Sequence, residues 1–376
     1  MCLWCIYYLQ GAIYPSGAII AKVALMIVLL LSFMYMIRLF RNNISLPPYF
    51  RGLVALLVII LIYQLFRFCT VVYFEGVVKP STDFIKNILI STFPIFSFYY
   101  FAQRGYLNKS WLSRWIFVFL VLCVISFFNE KSIRIEQLIV AGSSRTEVTN
   151  NAGYLFASLI PSLFLVDKKP IVQYTLLVLC SLFAIAAMKR GAMLVTTLCI
   201  IIFIVTSLNN SSIRKKITII FLMFMAAFIV SNYIGNMMEN SDYFQHRMMQ
   251  TLEGDSSGRN DMYSEMFSYF FNQPLLYMIF GNGLDGTVLL FGDGAHNDWL
   301  EIMIDMGFIG IVFYIIYWHM FYKTWKMTKY TNRMSYIVIG VIMLSEFMKT
   351  MFSFSIYSMP IYELPVLSLC IYSSNQ

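Results

Sequence analysis

The residues best suited to chemistry lie in one short segment, His296-Asn297-Asp298-Trp299-Leu300-Glu301, which runs on to Gly307 and Gly310. It closes the longest polar stretch of an otherwise apolar chain. Asp298 is placed to N-cap the helix that follows, and Glu301, three residues on, resembles the partner acid of a capping box. Both acids then have a sufficient role in starting a helix. On this reading His296 stands just outside a helix N-terminus. The positive end of the helix dipole disfavours imidazolium. A neutral imidazole at neutral pH is what a general base needs, and the unpaired N–H groups of the first turn can help to hold an anion. Of the other two histidines, His319 falls late in an apolar run, where a structural or interfacial role is expected, and His246 sits among Met and Gln with no chemistry assigned to it.

Three arginines accompany this segment. Arg259 follows Ser256-Ser257-Gly258 and opens an expected helix, 259–272, with apolar positions at Met262, Met266, Phe267 and Phe270. Arg190, with Lys189, occupies a tight break between two apolar runs, and Arg145 lies in Gly142-Ser143-Ser144-Arg145-Thr146. A guanidinium keeps its charge and binds phosphate oxygens two at a time, so the three read as a pyrophosphate clamp. The alternative is snorkelling to lipid head groups, or pairing with Glu147 or Asp255. Gly281-Asn282-Gly283-Leu284-Asp285-Gly286 follows no clear strand and reads as a tight turn that brings backbone close to something, not as a dinucleotide loop. The spacing of Asp293, Asp298 and Glu301 does not require a metal. No metal and no cofactor are expected, and no Ser-His-Asp order is visible.

The elements that must position these groups are membrane helices. The chain of 376 residues is 59% hydrophobic and only 12% charged, where a soluble domain carries roughly 25% charged residues. Its apolar runs are long enough for a bilayer core of about 30 Å and lack the alternation of barrel strands. The expected class is an all-α polytopic membrane protein of about 12 transmembrane helices, at 2–14, 18–37, 52–73, 84–102, 114–128, 151–166, 171–188, 191–207, 217–233, 299–321, 335–353 and 359–373. No cleavable signal peptide is expected, since no basic region precedes the first run. The net charge of +8 falls in alternate short loops: Arg38, Arg41 and Arg51; Arg104, Lys109 and Arg114; Lys168 and Lys169; Arg214, Lys215 and Lys216; Lys323, Lys326, Lys329 and Arg333. This is the positive-inside pattern and not a nucleic-acid surface. It puts both termini in the cytoplasm. Residues 1–376 then form a single transmembrane domain, with a first outer loop at 129–150 and a large outer loop at 234–298 carrying the active region. The cysteines lie in apolar runs, as small buried residues.

With these residues in place, the chain resembles the O-antigen polymerase and O-antigen ligase superfamily. His296-Asn297-x-x-Leu300 with Gly307 and Gly310 is similar to that family's His-Asn signature. Gly258-Arg259 before an amphipathic helix, then Gly281-x-Gly283, resembles the preceding part of the same large periplasmic loop. Lys189-Arg190-Gly191-Ala192 is similar to the Arg-Gly pair between two spans, and Arg145 followed by Asn150-Asn151-Ala152 to an upstream loop. In that loop Asn150 stands where a Pro is usual. The resemblance covers about 140–310.

The resemblance implies a GT-C-like, metal-independent glycosyltransferase of the bacterial inner membrane. It acts at the periplasmic face on glycans carried by undecaprenyl pyrophosphate. Arg190, Arg259 and Arg145 would hold the pyrophosphate, and His296 would take the proton of the attacking sugar hydroxyl. Asn297, Asp298, Glu301, Gly281, Gly283 and Lys189 would support them. A compact chain with one dominant outer loop favours the polymerase, which extends a lipid-linked repeat unit. The alternative is the ligase, which transfers the glycan to lipid A–core. A chain-length regulator would be a partner, beside membrane lipids and lipid-linked oligosaccharides. A further alternative, a lipid-linked oligosaccharide flippase or other transporter, would put charge near the bilayer midplane. Only Arg67 and Lys86 are expected there, while the polar residues gather in the outer loop.

Overall fold

A computed structural model describes residues 1–10, 13–14, 17–41, 46–73, 83–142, 147–166, 170–209, 212–252, 259–353 and 362–374. The described residues form helices and no strand. In chain order these are α1 (Cys2–Tyr8), α2 (Ile19–Arg41), α3 (Pro48–Tyr73), α4 (Asp83–Thr92), α5 (Ile95–Gln103), α6 (Lys109–Val140), α7 (Gly153–Leu163), α8 (Pro170–Ala186) and α9 (Arg190–Asn209). There follow α10 (Ile213–Asn240), α11 (Asp242–Leu252), α12 (Arg259–Asn272), α13 (Leu275–Phe280), α14 (Gly286–Phe291), α15 (Asp298–Thr328), α16 (Arg333–Phe352) and α17 (Glu363–Ser373). The protein is an all-α polytopic membrane protein.

Seven of the expected spans are single helices long and apolar enough to cross a bilayer: α2, α3 up to Leu65, α6, α9, α10, α15 and α16. Three more, α7, α8 and α17, are shorter apolar helices. The expected span at 84–102 is broken into α4 and α5 around Phe93-Pro94, because Pro offers no N–H and crowds the preceding turn. The run at 2–14 yields only the seven residues of α1. Asparagine starts several of these helices. The side chains of Asn108, Asn297 and Asn332 accept backbone N–H groups at the heads of α6, α15 and α16, satisfying donors that have no partner inside the helix.

The polar stretches differ from the expected loops. Residues 129–140 continue α6 without a break, and most of the described part of 234–298 is helical, in the end of α10 and in α11 to α14. Polar residues at these positions lower the hydropathy of helical segments, which then look like loops when read by hydropathy alone.

The chain divides into two compact units. One holds Met1–Leu31, Phe101–Asp255 and Pro360–Cys370. Within it α7 packs against α6, α8 and α9. A Cβ on Gly153 would lie 2.8 Å from that of Ala187 and 3.0 Å from that of Ala192, so small residues let these helices approach closely. Phe156 stacks on Phe183 at 4.7 Å. Glu130 of α6 accepts the N–H groups of Asn151 and Ala152, both at 2.9 Å, and so caps the start of α7. The other unit holds Ser32–Tyr100, Ser256–Met359 and Ile371–Gln376. There α15 packs along α3, with Tyr49, Tyr314, Tyr317, Trp318 and Phe321 forming an aromatic seam.

Candidate active site at the His296 turn

The site is built on the first half of α15, whose regular course breaks at Gly307 (φ 63°, ψ −158°). The segment before that break, Asp298–Met306, carries three acids yet is largely buried: Asp298 is 0%, Glu301 5% and Asp305 1% exposed. Charged groups survive such burial only with partners, and each acid has one. Asp298 accepts the Tyr314 hydroxyl at 2.8 Å. Glu301 accepts the backbone N–H of Ala295 at 2.7 Å. Asp305 accepts the N–H and hydroxyl of Thr287, each at 2.8 Å, and the N–H of Asp285 at 3.0 Å.

These bonds correct the expected cap. Asn297, not Asp298, is the N-cap, taking the N–H groups of Trp299 at 3.0 Å and Leu300 at 3.3 Å. Asp298 is the first helical residue, and Tyr314 draws its carboxylate inward. Glu301 does reach back, as in a capping box, but to Ala295, two residues before the cap.

His296 lies between Ala295, which is fully buried, and the cap. Its backbone is left-handed, with φ 51°, a conformation uncommon for a residue with a side chain. Bonds on both sides hold it there: Glu301 fixes the N–H before it and Asn297 the turn after it. Beneath the turn, Ala295, Leu300, Met303 and Ile304 pack on Met266 and Phe270 of α12 in one apolar cluster. Trp299 donates its indole N–H to the Thr350 hydroxyl of α16 at 3.0 Å.

The glycine turn lies against the other end of this segment. Gly281 (φ 74°) passes so close to α15 that a Cβ would sit 2.4 Å from the backbone of Asp305 and Met306. A Cβ on Gly307 would come within 2.5 Å of the Ile279 carbonyl oxygen. Gly283 donates its N–H to the Asp305 carbonyl at 2.9 Å. The close backbone approach expected of this turn is therefore made to α15 itself.

Arg259, the first residue of α12, donates to the Phe352 carbonyl at 3.3 Å. One turn on, Tyr263 borders both Arg259 and Asn297. Tyr263 and Asn297 line a cavity of about 290 Å³, whose walls include Trp299, Phe308 and Met351. Thus the described structure gathers His296, Asn297, Asp298, Glu301, Gly281, Gly283 and Arg259 in one unit. Lys189 and Arg190 belong to the other unit, at the break between α8 and α9, where Met188 (φ 51°) turns the chain. Arg145 and Gly258 lie outside the described residues. Among the described residues no three His, Cys, Asp or Glu side chains converge as a metal-ligand set.

Sequence reasoning missed Tyr263 and Asp305. Tyr263 had a signal, being four residues from Arg259 and so on the same helix face. Asp305 had one too, as a lone acid inside an apolar run.

The chain is thus a polytopic helical membrane protein with a half-buried His-Asn turn, Asn297 of which lines an apolar cavity together with Tyr263, a neighbour of Arg259. Residues 175–315 match the family described as O-antigen ligase, a segment that holds Arg190, Arg259, His296, Gly307 and Gly310. Over that segment the chain is similar to this family. No curated protein matches it.

Proposed function

We propose that the chain is a surface-polysaccharide polymerase, a GT-C-type glycosyltransferase that moves an undecaprenyl-pyrophosphate-linked glycan onto the non-reducing-end sugar of a lipid-linked repeat unit. The observation that carries this reading is the His296 turn: a histidine with a left-handed backbone at the head of a helix, followed by Asn297, which shares Tyr263 as a neighbour with Arg259, in a segment that matches the family. In the reaction, the acceptor hydroxyl forms a bond to the anomeric carbon of the donor sugar. Its proton passes to His296, a contribution worth about 10²–10⁴-fold in such reactions. The bond from that carbon to the pyrophosphate oxygen breaks, and the leaving pyrophosphate takes the electron pair. Arg259 stabilises the charge that develops on it. The linkage itself supplies the driving energy, without a metal or a nucleotide. The active region faces the periplasm, and both termini lie in the cytoplasm of a bacterial inner membrane.

The description of the matching family favours a second reading, ligation of the glycan to lipid A–core. One experiment separates the two. A deletion strain is complemented with the wild-type gene or with His296→Ala, and its lipopolysaccharide is resolved by length. A ladder from wild type and only single-repeat bands from the variant are the expected result. Loss of all capped lipopolysaccharide, with lipid-linked polymer accumulating, would mean the ligase. A full ladder from His296→Ala would remove the proposed base.

A further inference from the structure

The Tyr263 hydroxyl is buried and makes no hydrogen bond of good geometry to a described residue, although the side chains of Asn297 and Arg259 lie within its reach. A buried hydroxyl left unpaired destabilises a protein unless something else supplies the partner. Tyr263 stands on the wall of the cavity that Asn297 also lines. It follows Arg259 by one helical turn, so the two side chains leave α12 from one face. Burial raises the phenol above its ordinary value of 10, while the Arg259 charge and the nearby polar groups of Asn297 and Arg259 pull it back down. At neutral pH it is an O–H donor beside a cation. Arg259 gives one N–H to Phe352, and a guanidinium carries five. A fixed cation and an unpaired O–H on one helix face form half of an anion-binding site.

We propose that Tyr263 is a further substrate-contacting residue, donating a hydrogen bond to an oxygen of the pyrophosphate that Arg259 holds. The assignment rests on the reading of this site as a transferase using a pyrophosphate-linked donor. It explains why an apolar cavity keeps a phenol where a phenylalanine would pack as well. Phe267, one turn further on, lines the same cavity without a hydroxyl.

The test is Tyr263→Phe, which removes one oxygen and no packing. Binding of undecaprenyl pyrophosphate to the full-length protein in detergent is measured by ligand-induced thermal shift, with undecaprenyl monophosphate and inorganic pyrophosphate as separate probes. The variant without ligand should unfold at the same temperature as wild type or above it, since it loses an unpaired buried group. Its Kd for undecaprenyl pyrophosphate should rise about tenfold, the worth of one hydrogen bond to a charged group. A matching loss for inorganic pyrophosphate would place the contact on the anion itself, and a loss confined to the lipid would place it on the anion as the lipid presents it. Equal binding by wild type and Tyr263→Phe would overturn the assignment alone. A wild-type protein that ignores undecaprenyl pyrophosphate would overturn the donor reading and the assignment together.

Discussion

Ala295 gives its backbone N–H to a side chain six residues ahead, and the histidine between them is left-handed as a result. This makes Glu301 a positioning residue. Truncating it to alanine leaves a buried N–H without a partner, at about 1–3 kcal/mol. If that energy falls on the productive turn, kcat drops by roughly tenfold or more. Glu301→Gln keeps an acceptor at the same reach and should retain most of the activity. Turnover of lipid-linked repeat units by the two variants checks this, and equal loss in both would count against a backbone-holding role. The sequence showed that a polar turn here precedes a helix, but not which residue caps it. Asn297 and Asp298 are both good N-caps. Tyr314, sixteen residues away, decides between them by drawing Asp298 inward, and no local pattern carries that.

At the scale of elements, the glycines divide by what surrounds them. Gly281 and Gly307 are left-handed and pressed against backbone, whereas Gly283 is left-handed (φ 89°) with nothing within 4 Å of a Cβ. Gly283→Ala should therefore meet only the conformational penalty, about 1–2 kcal/mol. Gly281→Ala and Gly307→Ala add a steric clash that neither neighbour can relieve, since backbone has to move. Thermal unfolding in detergent should show a small decrease for the first and a much larger one, or loss of folded protein, for the other two. Equal decreases would mean that the two backbones are not in contact. The long apolar helices were legible because their runs are uninterrupted. Within 234–298 the helix at 259–272 was legible and is α12, whereas α11 was not, because it exposes many polar residues, which is also how a loop reads. Only the i, i+4 pair Met266 and Phe270 marks the buried face of α12.

At the scale of the whole molecule, composition alone was enough to read the polytopic helical class, and the charge pattern proposes an orientation. Arginine and lysine alternate between loops whatever the helices do in detail, so a broken span such as α4–α5 leaves the pattern intact. The positive-inside arrangement predicts that Tyr106→Cys, at a position 72% exposed in the turn before α6, is shielded from a membrane-impermeant maleimide in intact cells. Asn272→Cys, at the exposed end of α12, should react. The reverse labelling would invert the proposed topology and take the active region to the cytoplasm. The meeting of Gly281 with α15 at Asp305–Met306 has one more consequence. The chain leaves that spot and comes back to it, so Asn282 to Met306 is a detour with a common entrance and exit. The entropy of closing such a detour changes only slowly with its length. Residues in its exposed part, Leu289, Leu290, Gly292 and Asp293, can be exchanged or added to while the path of the flanking helices and the buried segment with Glu301 and Asp305 stay the same. A scaffold organised in this way can vary that exposed part without rebuilding the helices on either side of it.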